Sequence, residues 1–458
     1  MARRSTPVAL LLNLHAASAA APSSAGSAAG AAAGSAAAPL RLTVGAGPTL
    51  PLPHIWENTG WCPPDSQSSA LAMANYSLQE ASWQQHAFIA AVPNRGIKNV
   101  RIHNLLNLIT MNAGAAAAHP IPPAAYNWSL LDSTLDMIAG EHKLRIGFEI
   151  MGNPRTSPVS RVGVYTSWRA PEQLEGWRNM VKALASRYIG RYGAAAVASW
   201  RFETWNEPDH ACDPVKKMKA NIVCDQQSWL GYWDACSDGL QQASPAGSPL
   251  IFGGPGSGGG TATSWVLPAL VRHLAAKKRA TGRYGCDYLQ WHNKGMLPGE
   301  KSPPDEHFPD GKTASTCNSY VDLALVESVL AEEPEVAAAL PMGNEEADMI
   351  GGWNHQLPWH SDAYNAAGLV RLLAMHEDMV NANKTLSEKG VKFGYHANDN
   401  AFLNYVSKLC TSPNVLLCIC NLRSCAHFAQ GDAWFTQRTL VTRFEMNLTH
   451  TVEVVRKP

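Results

Sequence analysis

From residue 53 onward, short apolar runs alternate with longer stretches in which apolar residues recur every three or four positions. Eight runs read as strands, at 54–56, 99–103, 144–149, 199–205, 250–253, 287–292, 339–343 and 392–396. Helical periodicity fills the gaps at 83–92, 130–142, 171–193, 229–242, 265–279, 320–332 and 362–381. The clearest helix is 171–193, where Pro171 suits the first turn and Gly193 the stop. Its buried face is Leu174, Trp177, Val181, Leu184 and Tyr188. Strands alternating with helices of this length form parallel βα units with right-handed crossovers. Eight of them predict a closed (β/α)8 TIM barrel over 53–402. A doubly wound sheet is the rival, but no glycine-rich phosphate turn follows the first strand.

Outside the barrel the pattern changes. Residues 403–434 read as a Cys-rich loop, and 435–458 as a β-hairpin extension with strands at 437–446 and 451–455. No helix pattern follows the eighth strand, so the barrel is expected to stop short of its last helix. Leu40 to Val44 alternates like a single strand without a local partner, expected to be the remnant (40–52) of an absent β-sandwich. Residues 1–39 combine a basic start, a short apolar centre and an Ala/Ser/Gly-rich tract, which suits a secretory signal and low-complexity segment. A transit peptide is the alternative, since no acidic residue precedes Glu57.

Composition narrows the classes of partner. The 458 residues are 46% hydrophobic and 16% charged, with 37 basic and 37 acidic side chains. That balance points away from nucleic acid and from a membrane surface, and no transmembrane run is evident. Ten cysteines favour some disulfides and an oxidising compartment. Cys212 with Cys224, and the group Cys410, Cys418, Cys420 and Cys425, read as loop staples in preference to a metal knuckle, because no His pair stands at ligand spacing. Their pairing stays open. Sequons at Asn75, Asn127, Asn383 and Asn447 fit a glycosylated protein of the secretory pathway, lysosomal, vacuolar or extracellular.

The candidate chemistry gathers at strand ends. In Arg201-Phe202-Glu203-Thr204-Trp205-Asn206-Glu207-Pro208, Pro208 stops the fourth strand and leaves Asn206 and Glu207 at its C-terminal lip. In a barrel that lip is the catalytic face. A Glu partly buried there suits a general acid of raised pKa. Strand two ends on Arg101 and His103, strand six on His292 and Lys294, strand seven on Asn344, Glu345, Glu346 and Asp348, and strand eight on Asn398, Asp399 and Asn400. Glycoside hydrolysis with retention needs two carboxylates about 5–5.5 Å apart, and Glu207 and Glu346 face each other across the expected mouth. Metal hydrolysis would want a His-x-His after strand one, which is absent, so neither metal nor cofactor is expected.

Phe202 to Asp209, together with Asn344-Glu345-Glu346-Ala347-Asp348 and Gly352-Trp353, resembles the uronide-cleaving branch of glycoside hydrolase family thirty-nine. Similar stretches run in order along the chain: Thr59-Gly60-Trp61-Cys62-Pro63-Pro64, Val100-Arg101-Ile102-His103, His292-Asn293-Lys294-Gly295, Asn398-Asp399-Asn400-Ala401-Phe402 and Gln437-Arg438-Thr439-Leu440. The resemblance implies Glu207 as acid/base and Glu346 as nucleophile. It implies Asn206 on the sugar 2-hydroxyl, and His103, His292, Lys294, Gly352, Asp399 and Arg438 around the ring and its carboxylate, with Pro63 and Trp353 in the pocket wall. Family members carry a His shortly after the Cys-Pro-Pro turn, where Asp65-Ser66-Gln67 stands here. The implied activity is a retaining exo-glycosidase removing terminal α-L-iduronic acid from glycosaminoglycan-like polysaccharides. The alternatives are a β-xylosidase of the same family and an inactive, incomplete carbohydrate-binding homologue.

Overall fold

The computed structural model describes residues 40–42, 54–63, 68–118, 120–213, 222–258, 264–294, 319–348, 363–381, 383–396 and 452–454. Gly352, Trp353, Asp399, Arg438, Asn447, the 403–434 loop and the 437–446 strand lie outside them.

The chain divides into two units, Ile55–Thr442 and a smaller one of Met1–His54 with Arg443–Pro458. In the smaller unit Leu40–Leu42 pairs antiparallel with Val452–Val454, Leu40 opposite Val454. The strand expected to stand alone therefore has a partner from the far end of the sequence, which local pattern could not reveal.

The larger unit holds eight parallel strands in chain order: β1 (Asn58–Trp61), β2 (Asn99–Ile102), β3 (Arg145–Glu149), β4 (Arg201–Glu203), β5 (Ile251–Gly254), β6 (Tyr288–Trp291), β7 (Met342–Asn344) and β8 (Phe393–His396). Each is followed or preceded by helix, giving a curled parallel βα sheet of the (β/α)8 class; among the described residues no pairing joins β8 back to β1. The curl is seen in contacts across the interior, where Gln290 of β6 donates to Glu203 of β4 at 3.2 Å.

Strand β1 is displaced from the expected 54–56, where Ile55 and Trp56 form a turn. The true strand, Asn-Thr-Gly-Trp, is polar yet wholly buried, because Asn58 bonds the Ile55 carbonyl and the Asn99 amide inside the barrel. An apolar run was the wrong signal for a strand whose buried groups satisfy one another.

Alternation divides each strand between two faces. Phe148 and Phe202 stack at 5.9 Å on one face. On the other, Arg101, Glu149 and Glu203 converge. Gly147, paired with Arg101, is required there: a Cβ would come 2.8 Å from the Arg101 Cα.

Outside the strands, Pro171–Tyr192 starts on Pro171 and is capped by Gly193 at φ 89°, as predicted. It packs against Gln226–Ala243. Gly239 permits close approach, since a Cβ would lie 2.6 Å from the Arg178 carbonyl oxygen. Asp225 and Ser228 cap the second helix reciprocally. Between these elements Trp168 stacks on Tyr232 at 4.2 Å and meets Trp205 edge-on at 5.6 Å. This aromatic block supports the residues that follow β4. Among the described residues no helix is long and apolar enough to cross a membrane.

Candidate active site

Strand β4 delivers Asn206 and Glu207 to the C-terminal face of the barrel, as its proline stop requires. Glu207 adopts φ 47°, ψ 59°, the left-handed region that a non-glycine residue enters at a cost of about 1–3 kcal/mol. Its amide donates to the Gly256 carbonyl at 2.8 Å, and Pro208 opens a short helical turn, Pro208–Ala211. The strained backbone aims the carboxylate at the opposite rim.

One oxygen of Glu207 and one of Glu346 lie within 4.8 Å of each other, and a nitrogen of His292 lies within the same distance of both. His292 Nδ1 stands 3.1 Å from Glu207 and 3.3 Å from Glu346. Lys294 Nζ reaches Glu346 at 2.7 Å. Asn206 Oδ1 accepts from Arg101 at 2.7 Å. His103 shares its Nδ1 with Glu149 at 2.6 Å, while its Nε2 lies 3.7 Å from Glu346. The structure thus brings together Glu207, Glu346, Asn206, His103, His292 and Lys294. Pro63 is buried just past the end of β1.

Beneath these groups lies a charged layer that motif reading leaves out. Arg101 is buried and holds Glu149, Glu203 at 2.8 Å, Glu345 at 3.2 Å and Glu346 at 3.1 Å. The signal was present: charged residues occupy alternate, inward positions of β2, β3 and β4. With Glu207, the five carboxylates face two permanent cations, Arg101 and Lys294. Such an imbalance is relieved by holding protons. Burial, then the Glu345 charge, pushes Glu203 up to about 8. Burial alone would lower His292, but the Glu346 charge and the Glu207 hydrogen bond raise it to about 10.

The two rim carboxylates go the other way. Burial would raise Glu346, but His292, Lys294 and Arg101 together bring it down to about 2. Burial would likewise raise Glu207, yet hydrogen bonds from His210 and His292 and the Lys294 charge hold it well below the usual carboxylate range. This corrects the expectation of a raised Glu207 pKa from burial: the neighbouring imidazoles and Lys294 outweigh desolvation and favour its anion.

Gly256 closes the floor. At φ 52°, it sits where a Cβ would lie 2.4 Å from Glu345 Oε1 and 2.8 Å from His292 Nε2. A disulfide joins Cys212 to Cys224, closing the loop after β4. That bears out a loop staple.

Paired carboxylates whose oxygens lie within 4.8 Å of each other, at the C-terminal ends of parallel strands in a βα barrel, suit the arrangement of the retaining barrel glycosidases. Residues 44–458 match glycosyl hydrolases family 39, and the chain belongs to that family. It is 36% identical over 422 residues to the α-L-iduronidase of Mus musculus, covering 90% of this chain and 55% of that protein. With the α-L-iduronidase of Homo sapiens it shares 34% over 473 residues, covering 99% of this chain and 58% of that protein. A solved structure described as the bacterial orthologue of human α-L-iduronidase superimposes with a TM-score of 0.59 at 30% identity, covering 77% of this chain and 50% of that one. The chain spans little more than half the length of the mouse and human relatives.

Proposed function

We propose that this barrel belongs to a retaining exo-glycosidase that removes terminal α-L-iduronic acid from glycosaminoglycan-like polysaccharides. The observation that carries the reading is the 4.8 Å grouping of Glu207 and Glu346, which suits a nucleophile and acid/base attacking one anomeric carbon. Glu346, held down to about 2, is an anion at any working pH. It attacks the anomeric carbon while Glu207 protonates the departing oxygen. Glu207 then takes a proton from the water that releases the sugar from Glu346.

Bound substrate shifts Glu207 toward its protonated form. A bound uronate adds a negative charge, which raises the pKa of carboxylates near it and favours protonated Glu207. Asn206, its oxygen engaged by Arg101, has amide donors for the sugar 2-hydroxyl. His103, His292 and Lys294 border the ring site, with Pro63 in the wall. Gly352, Trp353, Asp399 and Arg438 complete the set by family match. A free uronate carboxylate beside two Glu side chains needs cations, and Arg438 and Lys294 are suited to provide them. We further place the protein in the secretory pathway, lysosomal, vacuolar or extracellular, with N-glycans on the exposed Asn75 and Asn127 and at Asn383 and Asn447.

The test uses 4-methylumbelliferyl α-L-iduronide and the matching β-D-xyloside. Wild type should prefer the iduronide, and Arg438→Ala should lower that kcat/KM about thirty-fold or more. Glu346→Ala should be inactive and yield an inverted glycosyl azide with azide; Glu207→Ala should give the retained azide. Equal or better xyloside turnover, unchanged on losing Arg438, would overturn the uronate reading. Swapped azide stereochemistry would reverse the two roles.

A further inference from the structure

Both oxygens of Glu207 are taken by imidazoles. His292 Nδ1 meets Oε1 at 3.1 Å, and His210 Nδ1 meets Oε2 at 3.0 Å. The two rings differ in setting: the His292 side chain is 3% exposed and lies between the carboxylates, whereas that of His210 is 23% exposed. His210 follows Glu207 by three residues on the Pro208–Ala211 turn, so the strained backbone of Glu207 fixes their pairing. Gly258 locks it from the β5 loop. A Cβ there would fall 2.6 Å from Glu207 Cδ and 2.8 Å from His210 Cε1, and the Gly258 N–H donates to Asp209 Oδ1 at 3.0 Å.

We propose that His210 is a positioning residue for the acid/base, holding Oε2 of Glu207 from the more exposed side of the site. This rests on reading Glu207 as the acid/base. Protonated Glu207, held in place by His210, passes its proton to the glycosidic oxygen as the C–O bond breaks. Glu207 regains it from the attacking water, so the cycle balances. The other charged groups facing Glu207 are His292, Lys294 and Glu346, and Asp209 flanks it in the chain. His292 also meets Glu346 at 3.3 Å, whereas His210 approaches Glu207 from the turn that follows it.

The experiment compares wild type, His210→Ala and His210→Asn on the methyl and 2,4-dinitrophenyl α-L-iduronides. Only the methyl glycoside needs a strong acid. His210→Ala should lower its kcat/KM by about 10–100-fold, the dinitrophenyl value by less than about three-fold. The alkaline limb for the methyl glycoside should move to higher pH, since a hydrogen bond to charged Glu207 is lost. His210→Asn, with an amide donor near the Nδ1 position, should restore most of both. Equal losses on both substrates with an unmoved limb would mean a merely structural role and overturn the proposal. A second measurement needs no turnover: 13C NMR titration of the Glu207 carboxyl, identified by its loss in Glu207→Gln. It should titrate higher in His210→Ala, and an unmoved titration overturns the proposal. A wild type that cleaves neither iduronide refutes the function proposed above, and the NMR titration then decides His210 alone.

Discussion

The Nη1 atom of Arg101 lies 3.1 Å from Oε1 of Glu346, a contact that reaches across the barrel from β2 to the end of β7. The same guanidinium holds Glu203, Glu345 and Asn206. One planar fork therefore fixes the candidate nucleophile and the residue preceding the candidate acid in a single frame. Lysine has the charge but not the fork. Arg101→Lys should leave buried carboxylates short of donors and cost about 3–5 kcal/mol of stability, with kcat down about a hundred-fold or more. Calorimetry and aryl-glycoside kinetics check both; a variant of native stability with near-native kcat would show that Arg101 frames nothing.

Much of this was legible beforehand. The eight-strand rhythm, the Pro208 stop and the Glu207/Glu346 pairing all follow from local pattern, because a barrel repeats one unit and brings every strand end to one mouth. Three features were not legible, each for a physical reason. Strand β1 is polar, since Asn58 and Asn99 satisfy each other inside. Leu40–Leu42 finds its partner more than four hundred residues away in sequence. The pKa of Glu207 depends on His210 and His292, whose distances only folding sets. Burial alone gave the wrong sign.

Gly256→Ala tests the floor of the site. The added methyl would sit 2.4 Å from Glu345 Oε1 and 2.8 Å from His292 Nε2, at a φ of 52° that alanine resists. Glu345 cannot swing clear, because Arg101 holds it. A loss of about 1–3 kcal/mol in stability should accompany a fall in kcat larger than the change in KM. A melting temperature within a degree of wild type would show that the loop shifts freely.

The Cys212–Cys224 bond closes a loop with a sequence separation of 12. Closing a loop of that length is worth about 3 kcal/mol in the chain-entropy account. The double variant Cys212→Ser, Cys224→Ser should unfold at lower denaturant by that amount or less. It should also be cleaved by protease within 213–223 faster than wild type. Unchanged cleavage there would mean the loop is held without its staple.

The buried charge layer also predicts how stability responds to pH. Glu203 is raised to about 8 in the folded protein, first by burial and then by Glu345. His292 is raised to about 10 against burial, by Glu346 and Glu207. Between about pH 6.5 and 8 the native state therefore holds protons on both groups that the unfolded chain has released. Where the native state binds more protons, stability falls as pH rises, by roughly 1.4 kcal/mol per pH unit for each full proton. Glu377, raised by burial to about 7, adds to the slope at its lower end. The opposing groups act elsewhere: burial lowers His86 to about 4, so its effect lies below 6.5, and Glu346, held at about 2, loses its contribution only as pH drops below 4.5. Melting temperature should thus decline steadily from pH 6.5 to 8. Glu203→Gln, which cannot take up the proton, should flatten that decline while leaving the part due to His292. A melting temperature that is level or rising across this range would show that the layer is not protonated as described.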